Sequence, residues 1–284
     1  MATPIAAESL LLRPMTEADL PEAYALSQKL SWPHRLEDWQ MMLRLSHGVV
    51  FEEGGRVIGT AFCCVQGGWS TIGLVIIADE YQGRGLGRQL MNAALALSGD
   101  AVATLTATAE GAPLYEKLGF VACGQLVQHH AVLAGDYEAP AHPYVRGLRD
   151  DEIDAAVALA ETASGFKRDA VLAELLAISE RVHVTEAEGE LTGLAILRSF
   201  GRGMMIGPVI ARDPAHAHDL IESLLGYCAG RFVRLDVTLD SGLSPWLSAL
   251  GLVNVGEPVQ MARGRAPAGT VGVKQFGVVT QALG

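Results

Sequence analysis

The chain has 284 residues, of which 50% are hydrophobic and 19% charged, and its formal net charge is −11 at pH 7. This composition is typical of a folded globular protein and excludes intrinsic disorder, and the length suits two medium-sized domains. The acidic balance supplies no basic surface for nucleic acid, and no apolar stretch is long enough to span a membrane, so we expect neither partner.

The cysteines and the N-terminus bear on metal binding and cellular location. Cys63, Cys64, Cys123 and Cys228 form no C-x-x-C pair, so their spacing predicts no structural metal site. Residues 1–7 lack the charged and apolar regions of a secretory signal. We therefore expect a cytoplasmic protein with reduced thiols and no metal.

In chain order, the first half predicts six strands and four helices. The strands fall near residues 10–13, 49–52, 57–65, 70–78, 103–108 and 125–133. The helices fall near residues 17–30, 36–45, 85–97 and 112–118. These elements predict a mixed sheet with flanking helices, of the α/β or α+β class.

The second half repeats the first at an offset of about 133 residues, which is too long for a solenoid repeat. The matched segments are residues 55–61 with 189–195, 72–79 with 206–213, and 113–121 with 245–253. We interpret them as two copies of one domain. Residues 135–143 contain two prolines and few apolar side chains, which predicts a linker and gives domains 1–138 and 139–284.

A glycine-rich turn follows the predicted strand 70–78. Gly83, Gly85 and Gly87 stand at alternate positions, where a missing Cβ lets the backbone approach a ligand closely. The turn leads into a helix, whose first N–H groups and positive dipole end attract an anion, and Arg84 and Arg88 add positive charge. The turn therefore predicts a phosphate or pyrophosphate ligand.

Two other phosphate-binding motifs fit this turn poorly. The dinucleotide motif G-x-G-x-x-G, read from Gly83, meets Arg88 at its third glycine, and no clear ribose-binding acid follows. A Walker A loop requires Gly-Lys-Ser or Gly-Lys-Thr, which is missing here. A dinucleotide-dependent oxidoreductase is thus the less favoured alternative.

The run from Gln82 to Gly87 resembles the Q/R-x-x-G-x-G/A motif of the GNAT superfamily of N-acetyltransferases. The resemblance implies tandem GNAT-like domains, each a mostly antiparallel sheet with a parallel splayed pair. It also implies that acetyl-CoA lies on this turn and along the preceding strand. The coenzyme-binding residues that it implies are Val75, Ile76, Ile77, Gln82, Gly83, Arg84, Gly85, Leu86, Gly87 and Arg88.

Tyr115 follows the glycine turn at a spacing that resembles the family's tyrosine beside the coenzyme sulfur. Pro113 and Gly119 suit the first turn and the end of a short helix around it. The resemblance implies direct attack of the primary amine of a small molecule on the thioester, with Tyr115 protonating the leaving thiolate. A non-catalytic acyl-CoA sensor is the alternative function.

Three residues are candidates for binding the acceptor. They are His34 in a segment after the first helix, Glu110 after a strand, and Asp236 near a strand end in the second half. A general base is not identified by the sequence.

The second copy lacks the residues on which this chemistry depends. The repeat aligns Ala217, Asp219 and Ile221 with the three glycines, and Leu247 with Tyr115. We therefore expect a structural second domain that helps to enclose the acceptor site, one coenzyme per chain, and a monomer or homodimer.

Overall fold

The computed structural model describes residues 10–270 and 272–284. Residues 1–7, on which the expectation about a secretory signal rests, lie outside this part. The strands of the first half are β1 (Leu11–Pro14), β2 (His47–Glu53), β3 (Arg56–Gln66), β4 (Trp69–Ile77), β5 (Val102–Ala107) and β6 (Val121–Val132). Its helices are α1 (Leu20–Lys29), α2 (Leu36–Leu45), α3 (Leu86–Leu97) and α4 (Ala112–Lys117).

The second half has the same order of elements, followed by two more strands. Its strands are β7 (Val145–Gly147), β8 (Ser179–Ala187), β9 (Glu190–Phe200), β10 (Gly203–Ala211), β11 (Phe232–Thr238), β12 (Val253–Gly256), β13 (Val259–Arg263) and β14 (Lys274–Gly277). Its helices are α5 (Ile153–Ser164), α6 (Asp169–Ile178), α7 (Pro214–Leu225) and α8 (Ser244–Ala249).

Local sequence explains where the helices of the first half begin and which side they bury. The backbone N–H of Arg35 donates to the Asp38 carboxylate at 2.8 Å, so α2 starts at the residue that the pattern predicts. The buried side chains of α3 recur every three or four positions, which lays one stripe of the helix on the sheet. They are Leu86, Leu90, Met91 and Ala94.

Each half contains one pair of parallel strands, and the other described pairs are antiparallel. In the first half, residues Trp69 to Ile72 of β4 pair with Val102 to Leu105 of β5, and the two strands then separate. In the second half β10 and β11 pair only at Met204 and Met205 before separating. The predicted α/β fold, with a mixed sheet and a splayed parallel pair in each half, is confirmed.

The two halves exchange strands and form one sheet of 14 strands, which the sequence did not indicate. Strand β13 of the second half lies between β5 and β6 of the first. In return, residues 126–132 of β6 pair with β11 of the second half. The buried core crosses the boundary as well, because α5 and α6 pack into the same cluster as the helices of the first half.

The connection between strand and helix differs between the two halves. Helix α7 begins at Pro214, three residues after β10 ends, and the Asp213 carboxylate accepts the His216 backbone N–H at 3.0 Å. Ala217, Asp219 and Ile221 therefore lie inside a helix, so their expected alignment with the glycine turn is wrong. Within the described residues, the second half has no glycine-rich turn at this connection.

The last strand, β14, fills the space between the separating strands of the second half. It pairs with β10, where Ile210 lies opposite Gln275, and with β11, where Val237 lies opposite Gly277. In the first half, the part of the chain that the structure describes places no strand between the separating ends of β4 and β5. Only the first half thus keeps an open cleft between its parallel strands.

Candidate active site

The glycine turn joins β4 to α3 and exposes main chain at the mouth of the open cleft. Gly83 and Gly85 have φ angles of +74° and +77°, which a side chain rarely tolerates. Nothing lies within 4 Å of a Cβ added at either position. Among the described side chains, none caps the first turn of α3, so its N–H groups are free to bind an anion.

The third glycine serves the packing between helices. A Cβ on Gly87 would lie 3.3 Å from Cδ2 of Leu114 on α4. Gly87 therefore lets α4 approach the start of α3 closely, which brings the helix carrying Tyr115 next to the turn.

The polar side chains of the turn have different partners. The Gln82 amide donates to the Ile77 carbonyl at 3.3 Å and to the Asp79 carboxylate at 2.9 Å, which ties the turn to the end of β4. The guanidinium of Arg84 donates to the Glu80 carbonyl at 3.0 Å and is exposed, as is Arg88. Both arginines can thus add positive charge at the surface beside the turn.

Strand β4 contains a bulge at the point where it leaves β5. Between Thr60 and Phe62 of β3 the register of β4 shifts by one extra residue. Leu74, in the bulge, has a φ of +49°, and its carbonyl accepts the Thr60 hydroxyl at 2.8 Å. A bulge interrupts the regular ladder of hydrogen bonds, so backbone N–H groups of the next residues, Val75 to Ile77, can turn toward a ligand.

Tyr115 lies on α4 with its ring almost completely buried. The ring makes an edge contact with Phe120 at a centroid distance of 6.2 Å, and a Cβ on Gly111 would lie 3.3 Å from the tyrosine oxygen. Burial raises the pKa of Tyr115 to about 12. The hydroxyl therefore stays protonated at neutral pH and can donate a proton. At the same place in α8, Leu247 is fully buried and has none to give.

The structure brings two of the three acceptor candidates into one region of the second half. The His34 ring contacts Phe200 at a centroid distance of 5.5 Å, and burial, with the charge of Arg234, lowers its pKa to about 4. Asp236 is buried and accepts two hydrogen bonds from Arg234, at 2.9 and 2.6 Å. Glu110 is exposed on the loop between β5 and α4.

A cavity of about 1370 Å³ lies between the two halves. Thr71 of β4, Thr104 and Thr106 of β5, Phe166 of the second half and Gln281 near the C-terminus are among its lining residues. His34, Glu110 and Asp236 do not belong to the described residues that line it. No sequence pattern predicts this cavity, because its walls come from segments that are far apart in the chain.

Residues 278–284, called the C-terminal loop below, form one wall of the cavity. Two buried arginines hold the loop: Arg198 donates to the Val279 carbonyl and Arg168 to the Leu283 carbonyl, each at 3.0 Å. Ala282 packs on Gly73 of β4, one residue before the bulge. The loop thus reaches the point at which β4 and β5 part.

The described residues contain neither a cluster of metal-binding side chains nor a helix that could span a membrane. Within residues 10–270 and 272–284, no group of three or more His, Cys, Asp or Glu side chains is placed to hold a metal ion. In the same part of the chain, every helix is too short or too polar to cross a bilayer.

Comparison with known proteins supports the assignment of both halves. Models described as an acetyltransferase (GNAT) domain match residues 44–122 and residues 156–273. A curated Bacillus subtilis protein, the uncharacterized N-acetyltransferase YitH, is 27% identical over 266 residues, which cover 91% of this chain and 93% of that protein.

Solved structures share the fold at low sequence identity. A candidate acetyltransferase from Pyrococcus horikoshii aligns with a TM-score of 0.81 at 17% identity, covering 100% of this chain and 98% of that one. A tandem GNAT protein from the clavulanic acid biosynthesis pathway aligns with a TM-score of 0.65 at 17% identity, covering 92% and 99%.

GNAT acetyltransferases in general use acetyl-CoA and act on acceptor substrates. The two matched domains together span more than half of the residues, and the sheet carries a splayed parallel pair in each half. The chain therefore belongs to the GNAT family of acetyltransferases, as an acyltransferase enzyme with two such domains in tandem.

Proposed function

We propose that the first half transfers an acetyl group from acetyl-CoA to the primary amine of a small molecule. One observation carries this proposal. The open glycine turn and the bulge of β4 lie at the one cleft between parallel strands that the described chain leaves unfilled, and α4, which carries Tyr115, packs against the start of α3 through Leu114.

The residues present fit the coenzyme. The bare main chain at Gly83 and Gly85 has room for a pyrophosphate, and the first N–H groups of α3 supply donors. Arg84 and Arg88 add charge at the surface, while Gln82 holds the turn in place. The end of β4, at Val75, Ile76 and Ile77, offers backbone groups for the pantetheine arm.

Acetyl-CoA supplies the thioester carbonyl and a thiolate as the leaving group. Backbone N–H groups after the bulge stabilise the negative charge that develops on the carbonyl oxygen when the amine attacks. The Tyr115 hydroxyl donates its proton to the departing sulfur, and its raised pKa keeps that proton available. Holding amine and thioester side by side supplies much of the remaining acceleration.

The second half serves as a structural partner in this proposal. Its cleft holds β14, its connection to α7 lacks the turn, and Leu247 replaces the tyrosine. We assign residues 1–138 to the catalytic domain and 139–284 to the structural domain, which exchange strands β6 and β13. Because the two halves already form a pair, the chain acts as a monomer or homodimer.

The three acceptor candidates separate into two groups. His34 contacts Phe200 of the second half, and Asp236 is held by Arg234 of the same strand, so neither side chain lines the cavity. Glu110, exposed just before the helix of Tyr115, remains the candidate for contact with the amine.

The test combines binding with turnover. Calorimetric titration with acetyl-CoA and with NAD shows which nucleotide binds, and a panel of primary amines with acetyl-CoA is followed by release of free thiol. We expect acetyl-CoA binding and thiol release with at least one amine. Binding without release would indicate an acyl-CoA sensor, and binding of NAD alone would indicate an oxidoreductase.

A further inference from the structure

We infer that the acceptor is a primary amine on a hydroxyl-rich ring, of the amino-sugar class, and that Gln281 of the C-terminal loop selects it. This inference rests on the proposed acetyl transfer in the first half. It concerns the cavity between the halves and the groups that line it.

The cavity reaches the paired part of the parallel strands, up to the point where they separate. Thr71 and Thr104 line it and lie opposite each other in the parallel pair. Leu105 also lines it and belongs to the last paired position before β4 and β5 separate. An amine bound in this cavity can therefore approach a thioester held in the cleft.

Gln281 extends from the C-terminal loop into this cavity, next to Ala282, which packs on Gly73. Its Nε2 donates to Oε1 of Gln128 on β6 at 3.0 Å. This bond uses one amide hydrogen of Gln281 and leaves its second amide hydrogen as a donor and its Oε1 as an acceptor for a ligand in the cavity. A hydroxyl group, which donates and accepts at once, matches that amide.

The rest of the lining near the parallel strands is uncharged and polar. Hydroxyl and amide groups come from Thr71, Thr104, Thr106, Gln125 and Gln260. The charged lining residues stand at the far side, on or beside β10, β11 and β14, and number two of each sign: Arg212, Lys274, Asp213 and Asp240. A carboxylate or phosphate beside the amine would thus find no cationic partner at the strands.

Apolar side chains complete the walls. Phe166, Leu105 and Met261 line the cavity together with the polar groups. A sugar ring has apolar faces and a hydroxylated edge, so it can contact both kinds of wall, and an aromatic ring such as Phe166 can lie against its face. A plain alkylamine would leave the amides and hydroxyls without substrate partners.

The experiment compares two amines that share a six-membered ring: glucosamine, which carries hydroxyls, and cyclohexylamine, which does not. Rates with acetyl-CoA are referred to the concentration of unprotonated amine. We expect kcat/KM for glucosamine to exceed that for cyclohexylamine at least tenfold, since several neutral hydrogen bonds contribute.

The variant Gln281→Ala tests the selecting residue. We expect the KM for glucosamine to rise about five- to tenfold with kcat nearly unchanged, while cyclohexylamine turnover stays the same. Gln281→Glu, which has the same shape but no amide donor, should lose the same preference. The matched control is Gln40→Ala, at an exposed glutamine on α2, which should leave the turnover of both amines unchanged.

Three results would overturn the inference. Equal loss on both amines in Gln281→Ala would show that the residue only supports the loop. Turnover of other amines, including cyclohexylamine, in preference to glucosamine would reject the substrate class while leaving acetyl transfer intact. No thiol release with any amine of the panel would remove the proposed function together with this inference.

Discussion

Gly73 of β4 and Ala282 of the C-terminal loop lie so close that a Cβ on Gly73 would stand 2.5 Å from the Cβ of Ala282. The contact joins the strand that precedes the bulge to a segment more than 200 positions further along the chain. It places the C-terminal loop beside the proposed reaction centre, so the loop's position and the enzyme's activity should be coupled.

The substitution Gly73→Ala should displace the C-terminal loop. Overpacking of this kind typically costs about 1 to 3 kcal/mol. We therefore expect the free energy of unfolding to decrease by that amount and the rate of acetyl transfer to fall. The double variant with Ala282→Gly removes the closest contact but leaves Cα of residue 282 at 2.9 Å, so it should recover part of the stability and of the activity. Gly68→Ala, where nothing lies within 4 Å, is the control. Failure of the double variant to recover would contradict the proposed coupling.

The substitution Tyr115→Phe removes the proposed proton donor and keeps the ring. General acid catalysis contributes about 10²- to 10⁴-fold, so kcat should fall in that range while the Kd for acetyl-CoA stays the same. Tyr144→Phe, on an exposed side chain directly after the linker, should behave as the parent enzyme. Unchanged kcat in Tyr115→Phe would reject the assignment.

The substitution Gly85→Ala tests the turn against a matched glycine. Gly85 and Gly55 have φ angles of +77° and +78°, and neither has an atom within 4 Å of an added Cβ. Both Ala variants should lose about 1 kcal/mol of stability from backbone strain. Only Gly85→Ala should raise the Kd for acetyl-CoA, by roughly tenfold or more, because its Cβ stands where the pyrophosphate approaches. Equal Kd values for acetyl-CoA in the two variants would mean that the pyrophosphate does not lie against Gly85.

Calorimetry with acetyl-CoA should give one site per chain. Strand β14 pairs with both β10 and β11, so the second cleft is filled by the chain itself. The titration is run on the full chain. A stoichiometry of two would show that β14 leaves its place when the coenzyme binds.

His34 should make stability depend on pH. Burial and the charge of Arg234 lower its pKa from 6.5 to about 4, so the folded state binds fewer protons than the unfolded state between these values. Its contribution to the free energy of unfolding, up to about 3 kcal/mol, is complete above pH 6.5 and is lost as the pH falls toward 4. Denaturant unfolding of the parent and of His34→Asn measures this, and the variant should lack that part of the slope. Parallel pH profiles would contradict the assignment.

The sequence by itself determined the local structure and the coenzyme motif. Apolar spacing predicted the strands and helices of the first half within a few residues, because burial of one face imposes a period that can be read directly. The turn at Gly83 and Gly85 was recognised because positive φ and bare main chain are properties of glycine alone. The internal repeat indicated two domains for the same reason, since each copy must bury the same faces.

Tertiary structure decided how the halves combine and what lines the acceptor cavity. The exchange of β6 and β13, the insertion of β14, and the contact of Ala282 with Gly73 join residues whose neighbours along the chain carry no sign of it. The surroundings of His34 and Asp236 come from strands that are distant in the sequence: His34 contacts Phe200 of β9, and Asp236 lies opposite Gln128 of β6. A strand's partner depends on non-local pairing and packing, so these features arise only when the whole chain folds.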